Sequence, residues 1–139
     1  MIILDTNVLS ELMKATSAPV VFAWMSLQSP DDLFTTTVTM AEILYGIELL
    51  PKGKRRDALL HEVEIVFTAR FAGRILAFDE PAAQMFGSIV AGRRLQGRAI
   101  GIADGQIAAI ARAHDATLAT RNTNDFEGCG VRVVNPWEG

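Results

Sequence analysis

Four acidic residues stand where a folded chain could gather them. Asp5 closes the short apolar run Met1 to Leu4, and Glu42 lies in the segment Thr39 to Leu50, whose only charges are Glu42 and Glu48. Asp104 opens the alanine-rich segment Ile102 to His114, and Asp125 sits in the polar stretch Thr120-Arg121-Asn122-Thr123-Asn124-Asp125-Phe126. Carboxylates that converge without basic partners repel one another, so either their pKa values rise or a hard cation neutralises them. Mg²⁺ or Mn²⁺ suits an all-oxygen site. Zinc would want His or Cys, and His61, His114 and Cys129 are widely spaced with no ligand pattern. A metal held by acids lowers the pKa of bound water and stabilises charge on a phosphate, which is the logic of phosphodiester hydrolysis and needs no catalytic histidine.

Each acid also has a structural use. Asp5 can cap the helix that follows it. Thr39 and Glu42 fit a capping box, in which the glutamate reaches back to the amide of the first residue. Asp104 is favoured by the positive end of a helix dipole, and Asp125 can serve a loop turn. Other chemistries find no purchase. There is no G-x-S-x-G elbow, no phosphate-binding glycine loop ending in Lys-Ser/Thr, and no G-x-G-x-x-G fingerprint. A phosphoacceptor domain would want a lysine near a late strand, and the only lysines are Lys14, Lys52 and Lys54.

Positioning such acids requires elements that end beside one another. Met1 to Leu4 has strand length, and Thr6 to Lys14 carries Val8, Leu9, Leu12 and Met13 at helical spacing. Pro19 opens a second helix that runs to Leu27, and the Thr-rich run Leu33 to Val38 suits a strand. Helical spacing returns over Thr39 to Leu50 and again from Lys52 to about Phe71. Ile75 to Phe78 reads as a third strand, Ala82 to Leu95 as a helix after Asp79-Glu80-Pro81, and Ile102 to His114 as another. Ala116 to Thr120 is a fourth strand, Arg121 to Gly130 a loop and Val131 to Val134 a last strand. Strands alternating with helices imply an α/β fold with a mostly parallel sheet. Ligands of such sheets bind outside the carboxyl ends of the strands, where Asp5 falls.

Composition bounds the rest. The chain has 139 residues, 50% apolar and 21% charged, which fits one globular domain. The single Cys129 has no partner for an internal disulfide, so a reducing, cytoplasmic setting is expected; no apolar run is long enough to span a membrane. Net charge is -3, which argues against a uniformly basic nucleic-acid surface. Two local basic patches remain, Lys52, Lys54, Arg55 and Arg56, and then Arg93, Arg94 and Arg98.

Asp5-Thr6-Asn7 with Leu9-Ser10-Glu11, Glu42 in an apolar helix, Ile102-Ala103-Asp104, and Thr120-Arg121-Asn122 followed by Asp125-Phe126 together resemble the PIN-domain ribonucleases. The likeness is greatest to the VapC-type toxins of bacterial toxin–antitoxin pairs, in their FitB-like branch, and spans Ile2 to Trp137. It implies one three-layer α/β/α nuclease domain over residues 1–139 and a Mg²⁺- or Mn²⁺-dependent endoribonuclease acting on RNA. Asp5, Glu42 and Asp104 would be metal ligands, with Thr6, Asn7 and Thr120 as polar support. The family often carries a fourth acid directly after the fourth strand, where this chain has Asn122. Either Asp125 completes the catalytic set from further into the loop, or Asn122 supplies an amide. The resemblance also implies a homodimer and a cognate antitoxin whose tail occupies the acidic groove. DNA would be met only through that antitoxin, and the basic patches become candidates for steering RNA. The alternative reading is a PIN-fold binding module that has lost catalysis and acts only within a protein complex.

Overall fold

Strand β1 (Ile2–Leu4) is apolar throughout because both of its faces are covered. Ile3 points into one buried cluster, and Ile2 and Leu4 point into another, as the two-residue period of a strand requires. The same alternation divides Leu118 from Ala119, Val133 from Val134 and Leu76 from Ile75. The computed structural model, which describes all residues from Met1 to Gly139, places these strands in one sheet. β2 (Leu33–Thr36), β3 (Ile75–Leu76), β4 (Thr117–Ala119) and β5 (Arg132–Val134) join β1 in the order β3-β2-β1-β4-β5, every pair parallel.

Helices cover both faces, giving the three-layer α/β/α arrangement. On one side lie α1 (Thr6–Leu12), α2 (Pro19–Ser26), α3 (Thr37–Glu48) and α4 (Lys54–Ile65), around Val8, Leu9, Trp24, Ile47 and Val63. On the other lie α5 (Glu80–Leu95) and α6 (Ile102–Ala113), around Ile89, Ile107 and Ile110. No helix is long and apolar enough to cross a membrane.

Several boundaries differ from the sequence expectation, each for a local reason. β2 stops at Thr36 rather than Val38, because the Thr36 hydroxyl accepts the Thr39 amide at 3.0 Å and starts α3 at Thr37. Thr39 is therefore inside the helix, and the capping box expected between Thr39 and Glu42 does not form. β3 ends at Leu76, two residues short of Phe78, since its partner strand offers only Thr35 and Thr36 before turning into α3. α5 starts at Glu80 instead of Ala82, capped by the Asp79 carboxylate on the Ala82 amide at 3.2 Å. α4 does not run evenly to Phe71. It passes at Val66–Arg70 into a π turn, closed by Phe71 N–H on the Val66 carbonyl at 2.9 Å, which turns Val66, Phe67 and Phe71 into the core. The expected loop from Arg121 to Gly130 contains a 3₁₀ turn, Thr123–Phe126, anchored by the fully buried Phe126.

α5 and α6 pack closely at Gly105, the residue after Asp104. A Cβ there would lie 2.8 Å from Val90 Cγ2 and 3.1 Å from Phe86 Cε2, whereas one at Gly87 on α5 would meet nothing within 4 Å. Gly105→Ala is expected to lower unfolding free energy by about 1 kcal/mol, overpacking outweighing the helix-propensity gain. Gly87→Ala should raise it by about 0.5–1 kcal/mol. Urea unfolding of the two variants checks both signs.

Candidate active site

The chain leaves β1 toward β2 and β3 on one side and returns to β4 and β5 on the other. β1 and β4 thus flank the point where strand order reverses, the place where open parallel sheets form ligand crevices. Asp5 follows β1 and Thr120 follows β4, held level by Asp5 N–H on the Ala119 carbonyl at 2.9 Å. α3 springs from the end of β2 and brings Glu42 to the same edge.

Asp5 is 4% exposed, and three donors meet its carboxylate. Oδ1 accepts the Thr6 amide at 2.8 Å, so Asp5 caps α1. Oδ2 accepts the Thr120 hydroxyl at 2.7 Å and the Asn7 side-chain amide at 3.3 Å. Capping and siting coexist, because the two oxygens divide the tasks. The Thr120 hydroxyl, itself fully buried, also accepts from Asn7 Nδ2 at 3.2 Å and from the Asn122 amide at 3.1 Å. Its one donor and two lone pairs are all engaged. Asn7 Oδ1 accepts the Arg121 amide at 3.1 Å, tying the start of α1 to the loop after β4.

Glu42 sits in the second turn of α3 and accepts the Thr6 hydroxyl at 2.7 Å. Thr6 Oγ1 also lies 3.0 Å from Thr39 Oγ1. Since Thr6 has one hydroxyl proton and gives it to the carboxylate, Thr39 is the donor of that second bond. Thr39, fully buried, is a site residue that sequence reading treated only as a cap.

Electrostatics draws in the other two acids. Burial pushes the Asp5 pKa above its ordinary value despite the Thr120 and Thr6 hydrogen bonds, and the charges of Glu42 and Asp125 push the same way. Asp104, in the first turn of α6, is raised to about 6, first by burial and then by the charges of Asp5, Asp125 and Glu42. None of the four acids is ion-paired with a basic side chain. Asp125 is thus within electrostatic reach of the cluster. The Asn122 side chain makes no hydrogen bond and is exposed, while its backbone starts the turn that carries Asp125.

The donor chemistry fits a hard divalent cation: oxygen only, excess negative charge and no neutralising base. The spacing sets a limit on how such an ion would be held. No three His, Cys, Asp or Glu side chains converge tightly enough to hold one unaided. Mg²⁺ fits that limit, because it keeps several waters and takes one or two carboxylates directly.

The PIN-domain pattern matches residues 2–128. The chain belongs to the PIN-domain family. Relatives place this PIN domain among the VapC-type toxins. It is 42% identical to the VapC ribonuclease Y4jK of Sinorhizobium fredii over 138 residues, 99% of each chain. It is 41% identical to Toxin FitB of Neisseria gonorrhoeae over 137 residues, again 99% of each. The crystal structure of FitAcB from Neisseria gonorrhoeae superposes with a TM-score of 0.93 at 40% identity, covering 100% of both chains.

The basic patches need correction. Arg56 is ion-paired with Glu48, leaving Lys52, Lys54 and Arg55 as the exposed part of the first patch. In the second, Arg93 is 4% exposed and donates to the Asn124 and Glu127 carbonyls, and Arg98 pairs with Glu127, so only Arg94 is a free surface charge. A cluster spaced about one turn apart reads as a surface stripe; only the docking of a loop 31 to 34 positions away reveals the burial.

Asp104 carries a stability prediction. Its folded pKa lies above that of the unfolded chain, so folding favours its protonated form; that contribution is full below about pH 3.8 and lost as pH rises through about 6. In the metal-free protein Asp104→Asn should raise Tm at pH 7–8. The difference from wild type should shrink as pH falls from 6 to 4, as a pH series of melting curves would show.

Proposed function

We propose that this PIN domain is a Mg²⁺- or Mn²⁺-dependent endoribonuclease toxin, hydrolysing RNA phosphodiester bonds until a cognate antitoxin silences it. The observation that carries the proposal is the acid cluster itself: four carboxylates brought together at the sheet's switch point, two with raised pKa, without a basic partner. A cluster of this kind lowers stability and is retained where function needs it. Its membership among VapC-type toxins and the name of the Sinorhizobium relative support the same chemistry.

Asp5, Glu42 and Asp104 would hold the ion, one or two of them directly and the rest through its waters, with Asp125 at the rim. The bound metal would supply an activated water and charge stabilisation on the scissile phosphate. The protein's own part is orientation. Thr120 and Asn7 fix the plane of the Asp5 carboxylate, and Thr6, backed by Thr39, fixes Glu42. Asp5 and Glu42 are therefore oriented before substrate arrives, which is how a charged site limits reorganisation during reaction. Without a cation this edge would repel RNA.

The antitoxin would take a cavity of about 630 Å³ beside the site, reached from Thr6 and Glu42 and walled by Met13 just beyond α1, Ile43 and Ile47 of α3 and Leu59 of α4. Its lining also carries Lys14, Arg55, Glu42 and Glu62, so it suits an inhibitory segment with an apolar stretch flanked by charged side chains of both signs. Exposed Tyr45 on α3, Leu49 at its C-terminal end and Ile102 on α6 suit a homodimer contact. DNA would be contacted through the antitoxin.

Asp5→Asn, which keeps the shape and a hydrogen-bonding oxygen, should fold and lose at least about 100-fold in Mg²⁺-dependent RNA cleavage, and its expression should no longer arrest growth. Asp5→Ala should lose activity and also about 1 kcal/mol of stability with the cap. Chelation by EDTA should stop cleavage by the wild type, with restoration by Mg²⁺. Absence of metal-dependent cleavage by the wild type would refute the nuclease reading and leave the inactive binding module, and full cleavage by Asp5→Asn would refute the role given to Asp5.

A further inference from the structure

Asp125 is the one acid of the cluster carried by a short turn, whereas Asp5 joins β1 to α1 and Glu42 and Asp104 lie in α-helices. It sits in the 3₁₀ turn Thr123–Phe126, closed by its own amide on the Asn122 carbonyl at 3.0 Å, and its side chain is exposed. A single turn of this kind frays readily unless something outside holds it. Two features do. Phe126, fully buried, plugs the following residue into the core beneath α5 and α6. The last turn of α5 and the segment just beyond it send two arginines to the turn's backbone.

Arg93 Nη1 donates to the Asn124 carbonyl at 3.4 Å and to the Glu127 carbonyl. Arg98 Nη2 donates to the same Asn124 carbonyl at 3.2 Å and to the Glu127 carboxylate at 3.0 Å. The carbonyl before Asp125 is thus gripped by both arginines, and the residue two beyond it is gripped at backbone and side chain. Arg93 is 4% exposed, has no carboxylate partner, and its buried Nε has no partner at all. A buried guanidinium so incompletely matched adds little to stability against an apolar residue of its size. Its placement is explained by what it holds.

We propose that Arg93, assisted by Arg98, is a positioning residue: it clamps the backbone on either side of Asp125 and so sets that carboxylate against Asp5 and Asp104. The proposal rests on the ribonuclease reading and deepens it, making Asp125 a working member of the site whose place is fixed from α5. Neither arginine touches the four clustered acids, so the effect travels through the turn and Glu127.

The test is a double-mutant cycle on RNA cleavage with Arg93→Met, which keeps an apolar stem in the buried slot, and Asp125→Asn. Each single variant should fold, lower kcat by about 10- to 100-fold and leave KM for RNA within about twofold, because misplacing a group near the reacting atoms acts on the chemical step. The double variant should be no slower than the slower single, since without the carboxylate there is nothing left to position. Amide exchange at Asp125 and Cys129 should speed up in Arg93→Met, a readout independent of activity. Multiplying losses in the double variant would overturn the proposal, as would wild-type kcat in a folded Arg93→Met. Wild-type kcat in Asp125→Asn would overturn it too, while inactivity of Asp5→Asn would still uphold the ribonuclease reading. Should Arg93→Met fail to fold, the half-exposed Arg98→Gln serves instead. A several-fold kcat loss that vanishes in the Asp125→Asn background supports the clamp, and an unchanged kcat overturns it.

Discussion

The hydrogen bond from the Thr120 hydroxyl to Asp5 Oδ2, 2.7 Å long and joining residues 115 apart in sequence, fixes the geometry on which the site depends. It locks the end of β1 to the end of β4 where the sheet changes direction, and it does so in the interior, where a charge-assisted bond is strong and an unmade one is costly. Asn7 and the Asn122 amide complete the Thr120 shell, so the loop after β4 takes its direction from the same atom. Remove the hydroxyl, and Asp5 keeps its cap on α1 but loses the partner that orients its second oxygen.

Around that bond the protein stores electrostatic strain. Burial raises Asp5 and Asp104, their neighbours raise them further, and the molecule supplies no basic side chain in answer. The sheet on either side is under no such strain: alternating residues of β1, β4 and β5 fill two apolar clusters, and the helices cover both faces. Stability is concentrated in those layers, and the unfavourable charge density is confined to one edge, as expected where a fold carries a functional site.

The α/β class and the acids were legible in the chain because their signals are local. Apolar runs of strand length, helical spacing and the position of Asp5 after Leu4 need no knowledge of distant residues. Element ends were less so. Thr36 rather than Thr39 caps α3, since two nearby threonines offer the same side chain and only backbone geometry chooses between them. β3 stops at Leu76 because its neighbour does, a constraint imposed across the sheet. The basic run Arg93, Arg94 and Arg98 reads as surface until the loop near Asp125 is seen lying on it.

By itself, then, the sequence determined which residue types could meet: acids after strands, hydroxyls beside them, apolar faces to bury the sheet, and a family likeness carried by their order. Only the tertiary structure decided the pairings. Asp5 with Thr120, Thr6 with Glu42 and Thr39, and Arg93 with the backbone around Asp125 each join residues 31 to 115 positions apart. Such contacts are set by strand order and helix docking, which place distant segments within 3 Å or so of one another. Spacing along a chain records the period of an element and does not record what that element will face.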